Sequence, residues 1–130
     1  MMERRLLQVV IAIACLVPIT AGSQGVIHGV AYIKNVVVTP DLDSHFRYLS
    51  GIFLMMGFAF VSTIPHIEQK GRLFRLLGAM VVLGGLSRAL SWIEVGAPGS
   101  GHRFGLAMEL GVVPLLMLWQ WRVARKYAAT

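Results

Sequence analysis

Residues 73–94 carry the sequence LFRLLGAMVVLGGLSRALSWIE, a mostly apolar run in which Arg88 lies well inside both ends. At about 1.5 Å per residue, a helix of this length is roughly 33 Å long, enough to cross the roughly 30 Å apolar slab of a bilayer. The Arg88 guanidinium keeps its proton at that depth, so it requires a partner, a water-filled pocket or a route to the head groups. The stretch predicts a membrane-spanning helix that makes an internal polar contact.

The composition of the chain supports a membrane protein. Of its 130 residues, 56% are apolar and 14% are charged, whereas soluble domains carry about 25% charged residues. The net charge of +6 would suit nucleic acid, but the cations cluster beside the apolar runs, which is typical of a topology signal. We therefore expect membrane lipids, and no nucleic acid, as partners.

Four apolar runs predict four transmembrane helices in a single transmembrane domain, residues 1–130. The runs lie at residues 6–22, 44–64, 73–94 and 104–121. The first follows two arginines and precedes small residues, which also suits a cleaved signal peptide. We interpret it as an uncleaved span, because it is long for a signal and three more spans follow. The predicted fold is all-α, an integral membrane four-helix bundle with up-down topology.

The connections carry their own signals. In residues 23–43, valines and an isoleucine recur at helical spacing, which predicts an interfacial or re-entrant helix, although residues 36–39 equally suit an extended chain. Asp41 and Asp43 are candidate caps for the second span. Residues 95–103 are rich in glycine and predict a loop. With both termini inside, eight lysines and arginines lie on the inner side and three on the outer, so we expect cytoplasmic termini.

The charges within the spans collect in the outer half of the predicted bundle. Arg88 lies about 9 Å below the outer end of its helix, and Glu109 lies in the next helix, which begins at the same side. Because an unpaired charge in hydrocarbon is costly, we expect Arg88 and Glu109 to pair. Small residues would let the two helices approach, and Pro114 predicts a kink near Glu109. The small residues are Gly84, Ser87, Ser91 and Gly105.

A pocket around this pair is the candidate ligand-binding site. Arg47 opens the second span on the same side, so the pocket would be net positive and would suit a lipid, an isoprenoid or a quinone. The candidate ligand-binding residues are Arg47, Arg88, Glu109, Tyr48, His45, Ser87 and Ser91. Two other interpretations stay open: a purely structural pair, and an interface with a second copy or a partner membrane subunit.

Other chemistries have less support. A small proton- or cation-coupled transporter that uses Glu109 as its exchanging carboxylate is the alternative function. No nucleophile with a base, no metal-ligand spacing and no phosphate-binding loop favours an enzyme, so we expect no catalytic residue, metal site or cofactor. The single cysteine, Cys15, has no partner for an internal disulfide.

Several segments resemble the bacterial four-span family called domain of unknown function 4345. They are residues 43–51 (DSHFRYLSG), 65–75 (PHIEQKGRLFR), 84–88 (GGLSR) and 108–114 (MELGVVP). More remotely, the layout is similar to DoxX-like four-helix membrane proteins, some of which are associated with quinone-linked oxidoreductases. The resemblance implies a bacterial inner-membrane protein and transfers no catalytic residue. The expected function is binding of a lipid-like or quinone-like molecule, or an accessory role beside a partner subunit.

Overall fold

The structure is a computed structural model that describes residues 1–129, and this part of the chain is all-α. Three long helices come first: α1 at Met2–His28, α2 at Pro40–Val61 and α3 at Gly71–Val95. The fourth has three parts: α4 at Ser100–Ala107, a π-helical turn at Met108–Val112 and α5 at Val113–Ala128. Short 3-10 turns lie at Gly29–Tyr32 and Ile64–His66. The predicted all-α fold class is confirmed.

Within residues 1–129, four helical stretches are long and apolar enough to cross a membrane. At most 22% of the apolar window of any of them is buried. Large apolar side chains therefore face outward along whole helices, as Leu83 at 66% and Leu115 at 66% exposure illustrate. Apolar surface on this scale needs lipid or protein to cover it. The chain is a multi-pass membrane protein.

The helices contain most of each predicted span, but their boundaries differ. The helical spacing after residue 22 belongs to α1, which continues to His28 and ends in the 3-10 turn at Gly29–Tyr32. The predicted separate interfacial helix is therefore not formed. Residues 36–39 have no regular structure, and α2 begins at Pro40. Its N-cap is Thr39, whose side chain accepts a hydrogen bond from the Leu42 N–H, so neither aspartate is the cap.

The contacts divide the chain into two compact units. One consists of Val9–Ile64, which includes most of α1 and all of α2. Its two helices approach closely, because a Cβ built on Gly22 would lie 2.8 Å from the backbone of Leu54. Gly25 faces the side chain of Ser50, whose Cβ would lie 2.6 Å from a Cβ built on Gly25. Small residues at such positions let membrane helices pack backbone against backbone.

The other unit consists of Met1–Gln8 and the chain from Pro65 onward. Its core is apolar, with side chains that are at most 7% exposed: Leu7, Ile67, Phe74, Leu77, Leu116 and Val123. Gln120 is fully buried and donates a hydrogen bond of 2.9 Å from Nε2 to the Ile67 carbonyl. These contacts hold α3 against the fourth helix and position the pair that was predicted between them.

Candidate functional site

The candidate site lies on the hairpin that α3 and α4 form. Only residues 96–99 separate the two helices. Gly96 ends α3 with a φ of +116°, a conformation that residues with a side chain rarely adopt. The tight connection brings the last turns of α3 alongside α4 and the π-helical turn.

Arg88 and Glu109 form the predicted ion pair across this hairpin. The Arg88 Nε donates to both carboxylate oxygens of Glu109, at 3.1 Å to Oε1 and 3.0 Å to Oε2. The Glu109 side chain is 11% exposed and the Arg88 side chain 37%. Glu109 is therefore the more buried member of the pair, while about a third of the Arg88 side chain stays exposed.

A third side chain, His102, completes the site. The Arg88 Nη1 lies 2.8 Å from the His102 Nδ1. Since arginine has no acceptor atom, this contact requires an unprotonated Nδ1, which leaves Nε2 as the donor of the neutral ring. The remaining amino group of Arg88, Nη2, makes no hydrogen bond to any residue in the described part of the chain. Two uncommitted donors, on Arg88 and His102, are thus held beside a buried carboxylate.

The sequence does not predict His102 as a site residue, because the glycine-rich residues 95–103 predict a loop. The structure begins α4 at Ser100, so His102 lies in its first turn. The spacing between His102 and Glu109 nevertheless indicates that the two residues can lie together. His102 precedes Glu109 by seven residues, which places both on one face of a continuous helix.

Close approach at the site depends on Gly85, and the prediction that Gly84 serves this role is wrong. A Cβ built on Gly85 would lie 2.8 Å from the Glu109 Cβ and 2.8 Å from the Leu110 Cδ2. A Cβ on Gly84 would have nothing within 4 Å. Gly105 faces the pair, because a Cβ there would lie 3.8 Å from both Arg88 Nε and Glu109 Oε1.

The neighbouring glycines Gly84 and Gly85 offer a matched test of this packing. We expect Gly85→Ala to destabilise the fold by about 1–3 kcal/mol, because the Glu109 backbone must move away from α3. Gly84→Ala should be neutral or slightly stabilising, because it adds a good helix former in open space. Equilibrium unfolding in mixed detergent micelles measures both changes. Equal stability of the two variants would contradict the close approach.

Glu109 sits in a π-helical turn, which follows from Pro114. The proline has no N–H to donate to a carbonyl one turn earlier. The helix widens at Met108–Val112, and the Val113 N–H bonds to the Met108 carbonyl five residues back. The helix near Glu109 therefore has a wide turn, and the kink predicted there stays a prediction. Such turns recur at functional sites in helical proteins.

Arg47 makes its contacts within the unit Val9–Ile64, where it joins α1 to α2. We call this set of contacts the clamp. Its Nε donates to Asp43 Oδ2 at 2.7 Å, and its Nη1 donates to the carbonyl oxygens of Val26 at 2.6 Å and Ile27 at 3.1 Å. The other oxygen of Asp43 accepts the Val30 N–H at 2.8 Å. A cation at the C-terminal end of α1 satisfies carbonyls that the helix leaves free. These contacts tie the end of α1 to the start of α2.

The remaining predicted residues have fewer contacts. Ser87 donates from Oγ to the Leu83 carbonyl at 2.9 Å, within its own helix. Tyr48 is 67% exposed, and His45 and Ser91 are exposed as well. None of these three hydrogen-bonds through its side chain to another of residues 1–129. Their part in ligand binding stays a prediction, as does a pocket shared with Arg47.

The described residues contain no group of three or more histidine, cysteine, aspartate or glutamate side chains that could hold a metal ion. The Arg88–Glu109–His102 cluster is joined by hydrogen bonds from Arg88 to both neighbours. It offers donors from Arg88 and His102 and a buried negative charge beneath them. Its chemistry suits recognition of carbonyl or anionic oxygens.

Comparison with known proteins adds one finding. The sequence matches a family model described as "Domain of unknown function (DUF4345)" over residues 6–120. This range overlaps all four spans and includes every residue of the candidate site. No curated protein matches the chain, and no solved structure matches it. The remoter similarity to DoxX-like proteins stays a prediction.

Proposed function

The chain belongs to the DUF4345 family, whose description assigns no activity, and we propose that it is a bacterial inner-membrane protein that binds a lipid-like or quinone-like molecule. The head of this ligand would lie beside Arg88, Glu109 and His102, and its tail would follow the apolar helix surface. Both termini would be cytoplasmic, which puts the site in the outer leaflet. An accessory role beside a partner subunit is compatible with this binding.

One observation carries the proposal: the ion pair with Glu109 uses only one of the three guanidinium nitrogens of Arg88. Glu109 takes Nε and His102 contacts Nη1, while Nη2 is left with no partner in the described chain. A guanidinium that served only to fix the helix register would be expected to turn more of its donors toward the carboxylate. An oxygen-bearing head group would satisfy the remaining donor.

The rival proposal, proton or cation transport through Glu109, has less support. Each proton exchange at this carboxylate would have to break the bonds from the Arg88 Nε at 3.0 and 3.1 Å. It would also leave a lone guanidinium within the span, which costs several kcal/mol. The contact therefore favours a carboxylate that holds Arg88 in place for a ligand.

Binding of a quinone probe tests the proposal. We expect Arg88→Leu/Glu109→Leu to bind a decyl-chain ubiquinone analogue about tenfold more weakly than the unmodified protein, because a charge-assisted hydrogen bond is lost. Binding is measured by titration in detergent micelles, and native mass spectrometry reports lipid that co-purifies.

The matched control is Arg4→Leu/Glu68→Leu. This pair lies in the same unit and has comparable exposure, 25% and 10%, so its removal should leave quinone binding unchanged. Equal losses in the two double variants would contradict the proposal. So would an unmodified protein that binds no quinone probe.

A further inference from the structure

The positive charge of this protein is concentrated in one place. Eight of the 12 lysines and arginines, but only two of the six acidic residues, lie in the first residues of α1, in or beside the start of α3, and in the last turns of α5. These eight are Arg4, Arg5, Lys70, Arg72, Arg75, Arg122, Arg125 and Lys126. Their excess equals the whole net charge of +6. The rest of the chain is neutral overall.

Direct contacts bring these segments together within one unit. Arg4 binds Glu68 at 2.7 Å and also donates to the Pro65 carbonyl at 2.8 Å. Arg122 binds Glu3 through Nε at 2.9 Å, and Lys126 binds the other oxygen of Glu3. The amino-terminal residues are therefore held between the start of α3 and the end of α5. We call this region the basic end.

The basic end contains a half-open cavity of ≈ 350 Å³. It is lined by Met1, Glu3, Arg4, Val123, Lys126 and Tyr127. The Arg4 guanidinium lies over the Tyr127 ring, 5.8 Å from its centroid. A charge pattern that served only as a topology signal would need no cavity. Here the cations surround a recess with an apolar and aromatic floor.

One exposed face of α5 begins beside this cavity and is amphipathic: it carries cations near the cavity and leucines farther along the helix. Lys126 and Arg122 are followed toward the middle of the helix by Leu118 and Leu115, at helical spacings of four, four and three residues. These leucines are 64% and 66% exposed. The cations at the end of α5 would meet the head group of a phospholipid, and the exposed leucines that follow would meet its acyl chain.

We propose that the basic end binds a phospholipid with a negatively charged head group. The phosphate would lie at Arg122 and Lys126, beside the cavity, and an acyl chain would lie along Leu118 and Leu115. Arg122 uses only Nε on Glu3, so its two Nη groups can bind phosphate oxygens. In the proposed orientation this is the cytoplasmic leaflet, where basic recesses between helices hold anionic lipids. Arg88 and Glu109 take no part in this site.

Native mass spectrometry with added phosphatidylglycerol or phosphatidylcholine tests the site. We expect Arg122→Gln/Lys126→Gln to bind phosphatidylglycerol on the order of tenfold more weakly, because two cations near the head group are lost. The control, Lys34→Gln/Arg103→Gln, removes two exposed cations elsewhere and should change nothing. Glu3→Gln should act in the opposite direction and strengthen binding, because it frees both cations from their internal acid.

Three outcomes would overturn the proposal. Equal losses in the two double variants would mean that only total charge matters. Retention of phosphatidylcholine as strong as that of phosphatidylglycerol would mean that the head group is not recognised. Displacement of the lipid by excess inorganic phosphate would identify a free-anion site. The rise expected for Glu3→Gln keeps the test informative should Arg122→Gln/Lys126→Gln fold poorly.

Discussion

Glu109→Leu should destabilise the protein by about 3 kcal/mol, and adding Arg88→Leu should restore much of that loss. The single variant leaves a guanidinium within the span with only His102 as its partner, and breaking a buried pair typically costs about 3–5 kcal/mol. Arg88 is 37% exposed, which puts the expected cost at the low end. The double variant leaves no unpaired charge, and two leucines suit an apolar surrounding. Unfolding in mixed micelles is measured for the unmodified protein, Glu109→Leu, Arg88→Leu and the double variant, which together form a double-mutant cycle.

The interaction energy from this cycle distinguishes pairing from independent effects. If the two substitutions added, Arg88 and Glu109 would not stabilise one another, and the candidate site would lose its basis. His102→Ala is the useful companion variant. It removes the contact at Nη1 but leaves the ion pair, so its effect on stability should be smaller than that of Glu109→Leu.

Gly29→Ala should destabilise the unit formed by residues 9–64 by about 2–4 kcal/mol. Gly29 has a φ of +62°, where a side chain costs roughly 1–2 kcal/mol. Its Cβ would also collide with Asp43 and lie 2.7 Å from the Arg47 Nη2, so the clamp between α1 and α2 must open. Thermal unfolding in detergent measures the effect.

The control for this variant is Gly51→Ala. A Cβ at Gly51 would meet only the Val26 Cγ2, at 4.0 Å, so its stability should be unchanged or slightly raised. Gly29→Asn separates the two causes, because asparagine tolerates a positive φ but still carries a Cβ. If Gly29→Ala were as stable as Gly51→Ala, the clamp would not matter for folding.

The number of spans and the central ion pair could be predicted because each has a large energetic cause. Helices of about 20 apolar residues have few alternatives to crossing a bilayer. A guanidinium and a carboxylate at the same depth on consecutive helices are expected to pair, because each is costly in the membrane without a partner. The prediction of the Arg88–Glu109 contact is confirmed at 3.0 Å, while its role in ligand binding stays a prediction.

The helix faces could not be predicted, because both the lipid and the core are apolar. Gly84 and Gly85 are adjacent and chemically identical, so the sequence alone does not tell which one faces the π-helical turn. In a soluble helix the polar face would have resolved this choice. The membrane removes that signal, and the structure shows that the contact is made at Gly85.

The end of α1 and the start of α4 also differ from the positions that the sequence predicts. Residues 23–28 are polar enough to suggest a connection, yet they complete α1, whose last carbonyls Arg47 satisfies. That contact between residues about twenty positions apart has no local signature. The early start of α4 at Ser100 likewise hid His102 from the predicted site.

The short connection at residues 96–99 has a consequence for how this protein enters the membrane. Arg88 and Glu109 are 21 residues apart in the chain, so both can leave the ribosome and meet before either helix is released into lipid. A hairpin that neutralises its own charges avoids most of the cost of burying each one singly. Biogenesis of the second half of the protein would then proceed by paired insertion of α3 with the fourth helix, as one unit.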